Sequence, residues 1–171
     1  MRKLLLLTLV LFVSNLINSQ NTISSEVKMK EKGENYLVVA NDKMNENMIA
    51  EGDEAKQKAH EIFSQLVLEY PKSESYTYYL FTKGITSSNK TEARKCFEEV
   101  IRLNNWQYYT RKSYMNLVYD AIEEKDFENG LKYLEEIKKM NKPTFNCGVE
   151  RETYEAQIKY LYQACETELK K

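Results

Sequence analysis

Glycine, proline and histidine are all scarce in this sequence. Its 171 residues contain five Gly, two Pro and one His. Glycine and proline supply most tight turns, so their scarcity argues against a sheet-rich fold with many short connections. The chain is instead rich in Leu, Glu, Lys and Ala, which favour helices. The composition therefore predicts an all-α protein, and the length is enough for one domain with a buried core.

Several residue patterns that carry catalysis are missing. The single histidine, His60, lies in HEIF, which lacks the second histidine of a zinc-binding helix. No glycine-rich loop is present to cradle a phosphate, and Cys165 has no histidine nearby in sequence to activate it. Adjacent glutamates such as Glu98 and Glu99 diverge by roughly 100° around a helix, so they do not converge for acid–base chemistry. We therefore predict a protein that is not an enzyme and that has no catalytic residue, metal or cofactor.

The sequence also lacks an excess of either charge. The formal net charge is −1, and no dense basic patch is present. Nucleic acid is therefore a poor candidate for a partner, because its binding depends on clustered Lys and Arg. No apolar run after the N-terminal segment approaches the length needed to cross a bilayer. We expect no membrane span once that segment is removed.

The N-terminus has the layout of a secretory signal peptide. Arg2 and Lys3 precede an apolar run from Leu4 to Val13, and a polar stretch follows. Cleavage after Ser19 would leave Gln20 first, so we predict a signal peptide over residues 1–19; an uncleaved anchor is the alternative. No cysteine follows the apolar run, which argues against a lipid anchor. The SQN boundary resembles signal peptides common in the Bacteroidota, so we expect an exported, periplasmic or extracellular protein.

The sequence, which is predicted to be exported, contains three cysteines: Cys96, Cys147 and Cys165. A helix beginning near Val149 would place Cys165 roughly 24 Å along its axis from Cys147, whereas a disulfide requires Cα atoms within about 7 Å. Cys165 also falls on an apolar stripe, and Cys96 precedes Phe97 inside a helix. We therefore expect buried thiols rather than a disulfide.

Apolar residues recur at helical spacing along most of the chain. Residues 20–34 are polar and without periodicity, which indicates a flexible lead-in, and residues 35–171 form the predicted helical domain. Residues 35–50 fit a helix or, over Tyr36 to Ala40, a short strand. Gly52 and Asp53 indicate a break, with Asp53 as an N-cap. Helices are then expected over 54–69, 73–87, 89–104, 107–123, 127–141 and 149–169, joined by short turns that make neighbours antiparallel.

An internal repeat connects these helices. Ala59 and Ala93, Phe63 and Phe97, and Leu66 and Val100 are each 34 positions apart, and a third unit follows at Gly130, Leu134 and Ile137 after 37 positions. A helical hairpin of this length cannot bury both its faces alone, so successive hairpins stack, and a small residue allows close approach of their backbones.

The repeat resembles the tetratricopeptide repeat family. Tyr114, Leu117, Val118 and Ala121 match its first helix, Asp126 and Phe127 its turn, and Gly130, Leu134 and Ile137 its second helix; Leu80, Phe81, Gly84, Ala93, Phe97 and Val100 match in the preceding unit. Phe81 and Val118 are bulky where the family prefers glycine, and Thr77 replaces a large aromatic residue. The match covers residues 54–143, and residues 149–169 resemble the family's closing helix. The resemblance implies a right-handed solenoid of about three antiparallel hairpins plus that helix.

The family resemblance also implies a binding site. In this family the first helix of each hairpin lines a concave groove that holds a peptide or a partner's helix, and LEYPKSE resembles proteins of bacterial envelopes that assist assembly complexes. We therefore expect a protein- or peptide-binding scaffold or assembly accessory. Its predicted groove consists of Tyr78, Thr82, Ile85, Lys112, Met115, Tyr119 and Ile122. The alternative for Tyr78, Met115 and Tyr119 is ordinary packing between helices.

Thirteen tyrosines are many for a chain of this length. Six aromatic residues lie near two predicted helix starts: Tyr76, Tyr78, Tyr79, Trp106, Tyr108 and Tyr109. Exposed aromatic rings stack on sugars, so a glycan-binding module is the second hypothesis for function. A small enzyme ranks third.

Overall fold

A computed structural model describes residues 25–145 and 147–170 of the chain. Within these residues the secondary structure consists of seven helices and no strand, which confirms the prediction of an all-α protein. The predicted signal peptide, residues 1–19, lies outside the described residues. The helices are α1 (residues 25–45), α2 (Ile49–Glu69), α3 (Tyr76–Thr86), α4 (Lys90–Leu103), α5 (Gln107–Glu123), α6 (Phe127–Lys139) and α7 (Gly148–Leu169).

The described residues form two compact units, which divide between Tyr76 and Thr77. In the first unit, α1 and α2 form an antiparallel hairpin. A Cβ added to Gly52 near the start of α2 would lie 2.9 Å from Met44 Cγ near the end of α1. Farther from the turn, a Cβ added to Gly33 would lie 2.9 Å from the ring of Phe63. Glycine thus permits close backbone approach at two points along the hairpin.

The break between α1 and α2 differs from the sequence prediction. The chain turns at residues 46–48, where Asn47 has a positive φ of 61°, a conformation that asparagine tolerates better than most residues. The prediction of a break at Gly52 and an N-cap at Asp53 was wrong, because α2 continues through both residues. Gly52 is buried at a helix contact rather than placed in a turn.

The lead-in also differs in part from its expected form. Residues 25–34 belong to α1, whereas their composition favoured a flexible segment. Two contacts with distant residues account for the difference: Gly33 packs on Phe63, and the Ser73 hydroxyl donates a hydrogen bond to the Glu26 carboxylate. Such contacts stabilise a helix that lacks an amphipathic pattern of its own.

In the second unit, α3 and α4 form a tight hairpin. A Cβ added to Gly84 would lie 2.7 Å from Phe97 Cε1, and the rings of Phe81 and Phe97 are 6.1 Å apart between centroids. The Asn89 side chain caps α4 by accepting a hydrogen bond from the backbone N–H of Glu92 at 3.1 Å. The helix ends at Asn104, which is left-handed with φ 43°. Both boundaries agree with the sequence prediction.

The helix α5 has a central place in the second unit. It packs against α4, α6 and α7, and α6 also packs against α7. Asp126 caps α6 by accepting from the N–H of Asn129 at 3.3 Å. The buried core between α5, α6 and α7 consists of Met115, Val118, Leu134, Ile137, Leu161 and Cys165.

Alternate helices of the second unit contact one another as well. Rings of Tyr78 and Phe81 on α3 lie 5.7 and 5.3 Å from the ring of Tyr109 on α5, and α5 contacts α7 directly. Helix α5 therefore contacts α3 and α7 as well as α4 and α6. No described helix is long and apolar enough to cross a membrane.

The cysteines are free in the structure. Cys96 and Cys165 are buried, as expected from their helix positions, but Cys147 is exposed. The prediction of a buried thiol was therefore wrong for Cys147, which precedes α7 outside any apolar stripe.

Candidate functional site

A pocket of about 280 Å³ lies between α5, α7 and the connection that precedes α7. It belongs entirely to the second unit. Its size suits one side chain or a small organic molecule rather than a whole helix. The lining residues are Tyr108, Arg111, Lys112, Met115, Pro143, Thr144, Phe145, Glu150, Thr153, Tyr154 and Gln157.

Arg111 is the buried charge of this pocket. Only 7% of its surface is exposed. Its Nη2 donates a hydrogen bond to the backbone carbonyl of Asn141 at 2.5 Å, which ties α5 to the connection that follows α6. Its Nε is buried and finds no acceptor among the described residues. A guanidinium with an unused donor is therefore held at the wall of the pocket.

Aromatic rings also line the pocket. The rings of Phe145 and Tyr154 are 5.5 Å apart between centroids. Burial raises the pKa of the Tyr154 hydroxyl, and the positive charge of Arg111 partly opposes that rise. The Arg111 charge therefore acts within a largely apolar environment, where its interactions are less screened than in water.

The rim of the pocket is more polar. The Lys112 ammonium lies 5.7 Å from the centroid of the Tyr108 ring, in a cation–π arrangement. The Gln157 side-chain amide donates to the Tyr119 hydroxyl at 2.5 Å, joining α7 to α5. Tyr119 is 42% exposed. Its ring therefore extends the surface of the pocket along α5 by about one helical turn beyond Met115.

The predicted groove residues on α5 therefore lie in two places. Lys112 and Met115 line the pocket, and Tyr119 is joined to it through Gln157. Ile122 lies farther along α5, in a separate depression with Phe127 and residues of α7. Met115 is also part of the core, with 5% of its surface exposed, so it serves packing as well as the pocket wall.

The predicted groove residues on α3 do not line this pocket. Tyr78 is half-buried and packs against Tyr79 and Tyr109. Thr82 is buried, and its carbonyl accepts a hydrogen bond from the Thr86 hydroxyl at 2.8 Å. Ile85 is 39% exposed. The strip that joins α3 to α5 as one binding surface stays a prediction.

A second feature is an aromatic cluster at the start of α5. Trp106 stacks on Tyr109 with 5.7 Å between ring centroids, and Tyr108 meets Tyr109 edge-on at 5.1 Å. Trp106 and Tyr108 are 50% and 58% exposed. Sugars stack on exposed flat rings. Trp106 and Tyr108 are therefore the residues on which the glycan-binding hypothesis depends.

The residues considered for catalysis make contacts of the kind that stabilise helices and their packing. His60 lies 3.4 Å from the Ser64 hydroxyl, one turn along α2. Burial raises the pKa of the Cys165 thiol, which works against its use as a nucleophile. Glu99 forms an ion pair with Arg102 at 2.6 Å on the helix surface. Among the described residues no group of His, Cys, Asp and Glu is placed to hold a metal ion.

Four residues of the pocket were not predicted as site residues from the sequence: Arg111, Phe145, Tyr154 and Gln157. A signal for Arg111 was available: it stands four positions before Met115 and seven before Val118, on the apolar stripe of α5. A charge on a buried stripe is unusual. No comparable signal indicates that Phe145 and Gln157 approach α5, because their contacts depend on how the connection and α7 fold back.

Comparison with protein-family models, with curated proteins and with solved structures gives no match for this chain.

Proposed function

We propose that this protein binds a segment of another protein, as a tetratricopeptide-like scaffold or assembly accessory exported to the bacterial envelope. The observation that carries the proposal is the pocket between α5 and α7, which unites Lys112 and Met115 and is bordered by exposed Tyr119. A concave, partly apolar site with a few polar groups is the usual form of a binding site.

The helix contacts support the tetratricopeptide-like arrangement. Each hairpin is antiparallel, with glycine at the close contact in α1/α2 and in α3/α4. In the second unit the first helix of each hairpin contacts the next first helix, as α3 does α5 and α5 does α7. Stacked hairpins of this kind place their first helices side by side on one face.

A photo-crosslinking experiment tests the proposal. A benzoylphenylalanine residue at position 112 faces the pocket rim, and the same residue at exposed position 98 on α4 is the matched control. We expect one adduct with an envelope protein from position 112 and none from position 98. Tyr119→Ala should weaken the adduct while the helical circular dichroism is retained. Equal adducts from both positions would show that binding lies elsewhere.

Export is part of the proposal and is tested separately. Cleavage after Ser19 predicts a mature chain that begins at Gln20. Mass spectrometry of the protein isolated from the envelope or the medium measures this directly. Detection of a cytoplasmic chain that retains residues 1–19 would contradict the proposed location in the envelope.

The exposed pair Trp106 and Tyr108 favours glycan binding as a second candidate. Trp106 is the only tryptophan in the sequence, so its fluorescence reports on this cluster alone. A saturable change on addition of envelope oligosaccharides, lost in Tyr108→Ala, would favour this function. An unchanged fluorescence spectrum would contradict glycan binding at this cluster.

A further inference from the structure

Among the charged residues that line the α5–α7 pocket, Arg111 is buried, whereas Lys112 and Glu150 are exposed. Arg111 is 7% exposed and makes one side-chain hydrogen bond, to the Asn141 carbonyl. Within the described part of the chain it forms no ion pair, and its Nε has no acceptor. A guanidinium keeps its charge in proteins and offers five N–H donors. Burial without an anionic partner is costly, which makes an anion a favourable occupant.

The charges of the lining residues also favour an anion in the pocket. Arg111 and Lys112 contribute two positive charges, and Glu150 contributes one negative charge, leaving an excess of one positive charge. Glu150 is exposed, whereas Arg111 is buried. The pocket therefore retains an uncompensated cation at its buried wall, with its one carboxylate on the solvent side.

The apolar wall restricts which anions fit. Met115, Phe145 and Tyr154 present a thioether and two rings within a volume of about 280 Å³. An inorganic anion would leave the space beside these apolar groups empty. A carboxylate joined to an apolar group of side-chain size would fill the pocket and place its oxygens on Arg111, for which the planar guanidinium is well matched.

We propose that the α5–α7 pocket binds a carboxylate carried on an apolar or aromatic group, with Arg111 as its counter-charge. The proposal deepens the proposed function and rests on it where the carboxylate belongs to an acidic side chain of a partner segment. A free organic acid has the same chemistry, and the experiment separates the two sources.

The test compares each acid with its uncharged amide. The probes are 3-phenylpropionate and 3-phenylpropanamide, and two peptides capped at both ends that contain Glu-Phe or Gln-Phe. Binding to the purified chain is measured by calorimetry, and the site by amide chemical-shift changes. We expect at least about tenfold tighter binding of an acid than of its amide, with shifts at Arg111, Phe145 and Tyr154.

Two variants test whether the charge of Arg111 causes the preference for acids. Arg111→Gln keeps a hydrogen-bond donor for the Asn141 carbonyl but removes the charge, so the preference for acid over amide should disappear. Arg102→Gln removes an exposed arginine from α4 and should leave the preference unchanged. The acid–amide comparison in the unaltered chain needs no variant, so the test survives if Arg111→Gln fails to fold.

The outcomes separate this proposal from the proposed function. Preferential binding of the Glu-Phe peptide supports both. Binding of 3-phenylpropionate with no peptide binding supports the carboxylate site and overturns partner binding at this pocket. Equal binding of acids and amides, or no binding of any probe at millimolar concentration, overturns the carboxylate site. An acid preference that persists in Arg111→Gln also overturns it.

Discussion

Gly84 on α3 and Phe97 on α4 are in direct contact, so close that a Cβ on Gly84 would lie 2.7 Å from Phe97 Cε1. The Phe97 ring is buried and packs against Phe81, so it has little freedom to move aside. The contact sets how closely the two helices of the hairpin approach.

Gly84→Ala is therefore expected to destabilise the protein even though alanine favours helices. The added methyl overlaps a buried ring, and overpacking of this kind costs about 1–3 kcal/mol, more than the gain of about 1 kcal/mol from helix propensity. Urea unfolding followed by circular dichroism measures the change. Gly148→Ala is the control, because a Cβ there meets no atom within 4 Å. If Gly84→Ala equalled Gly148→Ala in stability, the hairpin contact would be looser than described.

Asn89→Ala should remove the N-cap of α4. The side chain accepts a hydrogen bond from the Glu92 N–H at 3.1 Å, and loss of such a cap typically costs about 1 kcal/mol. Ser88→Ala, at an exposed neighbouring position outside the helix, should change stability little. Thermal unfolding of both variants gives the comparison, and equal midpoints would argue that water replaces the cap without loss.

Asp120 should make stability fall as pH rises through the mildly acidic range. Burial, opposed by Arg94 and Lys90 and assisted by Glu124 and Glu123, raises the pKa of Asp120, and its Oδ2 has no hydrogen-bond partner among the described residues. A group whose pKa is higher when folded binds its proton more tightly in the native state, so its favourable contribution is present below the unfolded pKa and lost above the folded pKa.

Asp120→Asn removes this titration. Relative to the unaltered chain, the variant should gain stability between about pH 3.5 and pH 7, by up to about 1 kcal/mol because the site is partly solvated. Urea midpoints at the two pH values provide the measurement. A relative loss across the same range would mean that attraction to Arg94 and Lys90 outweighs burial.

The three thiols should differ sharply in reactivity. Cys147 is exposed, whereas Cys96 and Cys165 are buried, and burial raises the pKa of both buried thiols. Treatment of the native protein with iodoacetamide should modify Cys147 first, and all three should react in urea. Peptide mass spectrometry identifies the sites. Early modification of Cys165 would indicate that α7 separates readily from α6.

Helix boundaries in the second unit could be predicted because their signals are local. Asn89 and Asp126 carry their own capping oxygens, Asn104 tolerates the left-handed end of α4, and the stripe of α7 buries Leu161 and Cys165 as its spacing predicts. These interactions join residues within about one turn, so sequence order alone reveals them.

The sequence by itself determined the all-α class, most of the helices and the predicted repeat, because periodicity, caps and turn residues act over a few positions. Tertiary structure alone decided the turn at Asn47, the helix over residues 25–34 and the approach of Phe145 and Gln157 to α5. Two of these depend on residues far apart in sequence, namely Gly33 against Phe63 and α7 folded onto α5, and the turn at Asn47 is flanked by the contact between Met44 and Gly52. The candidate site belongs to this second class, since its charge and its rings come from segments that only packing brings together.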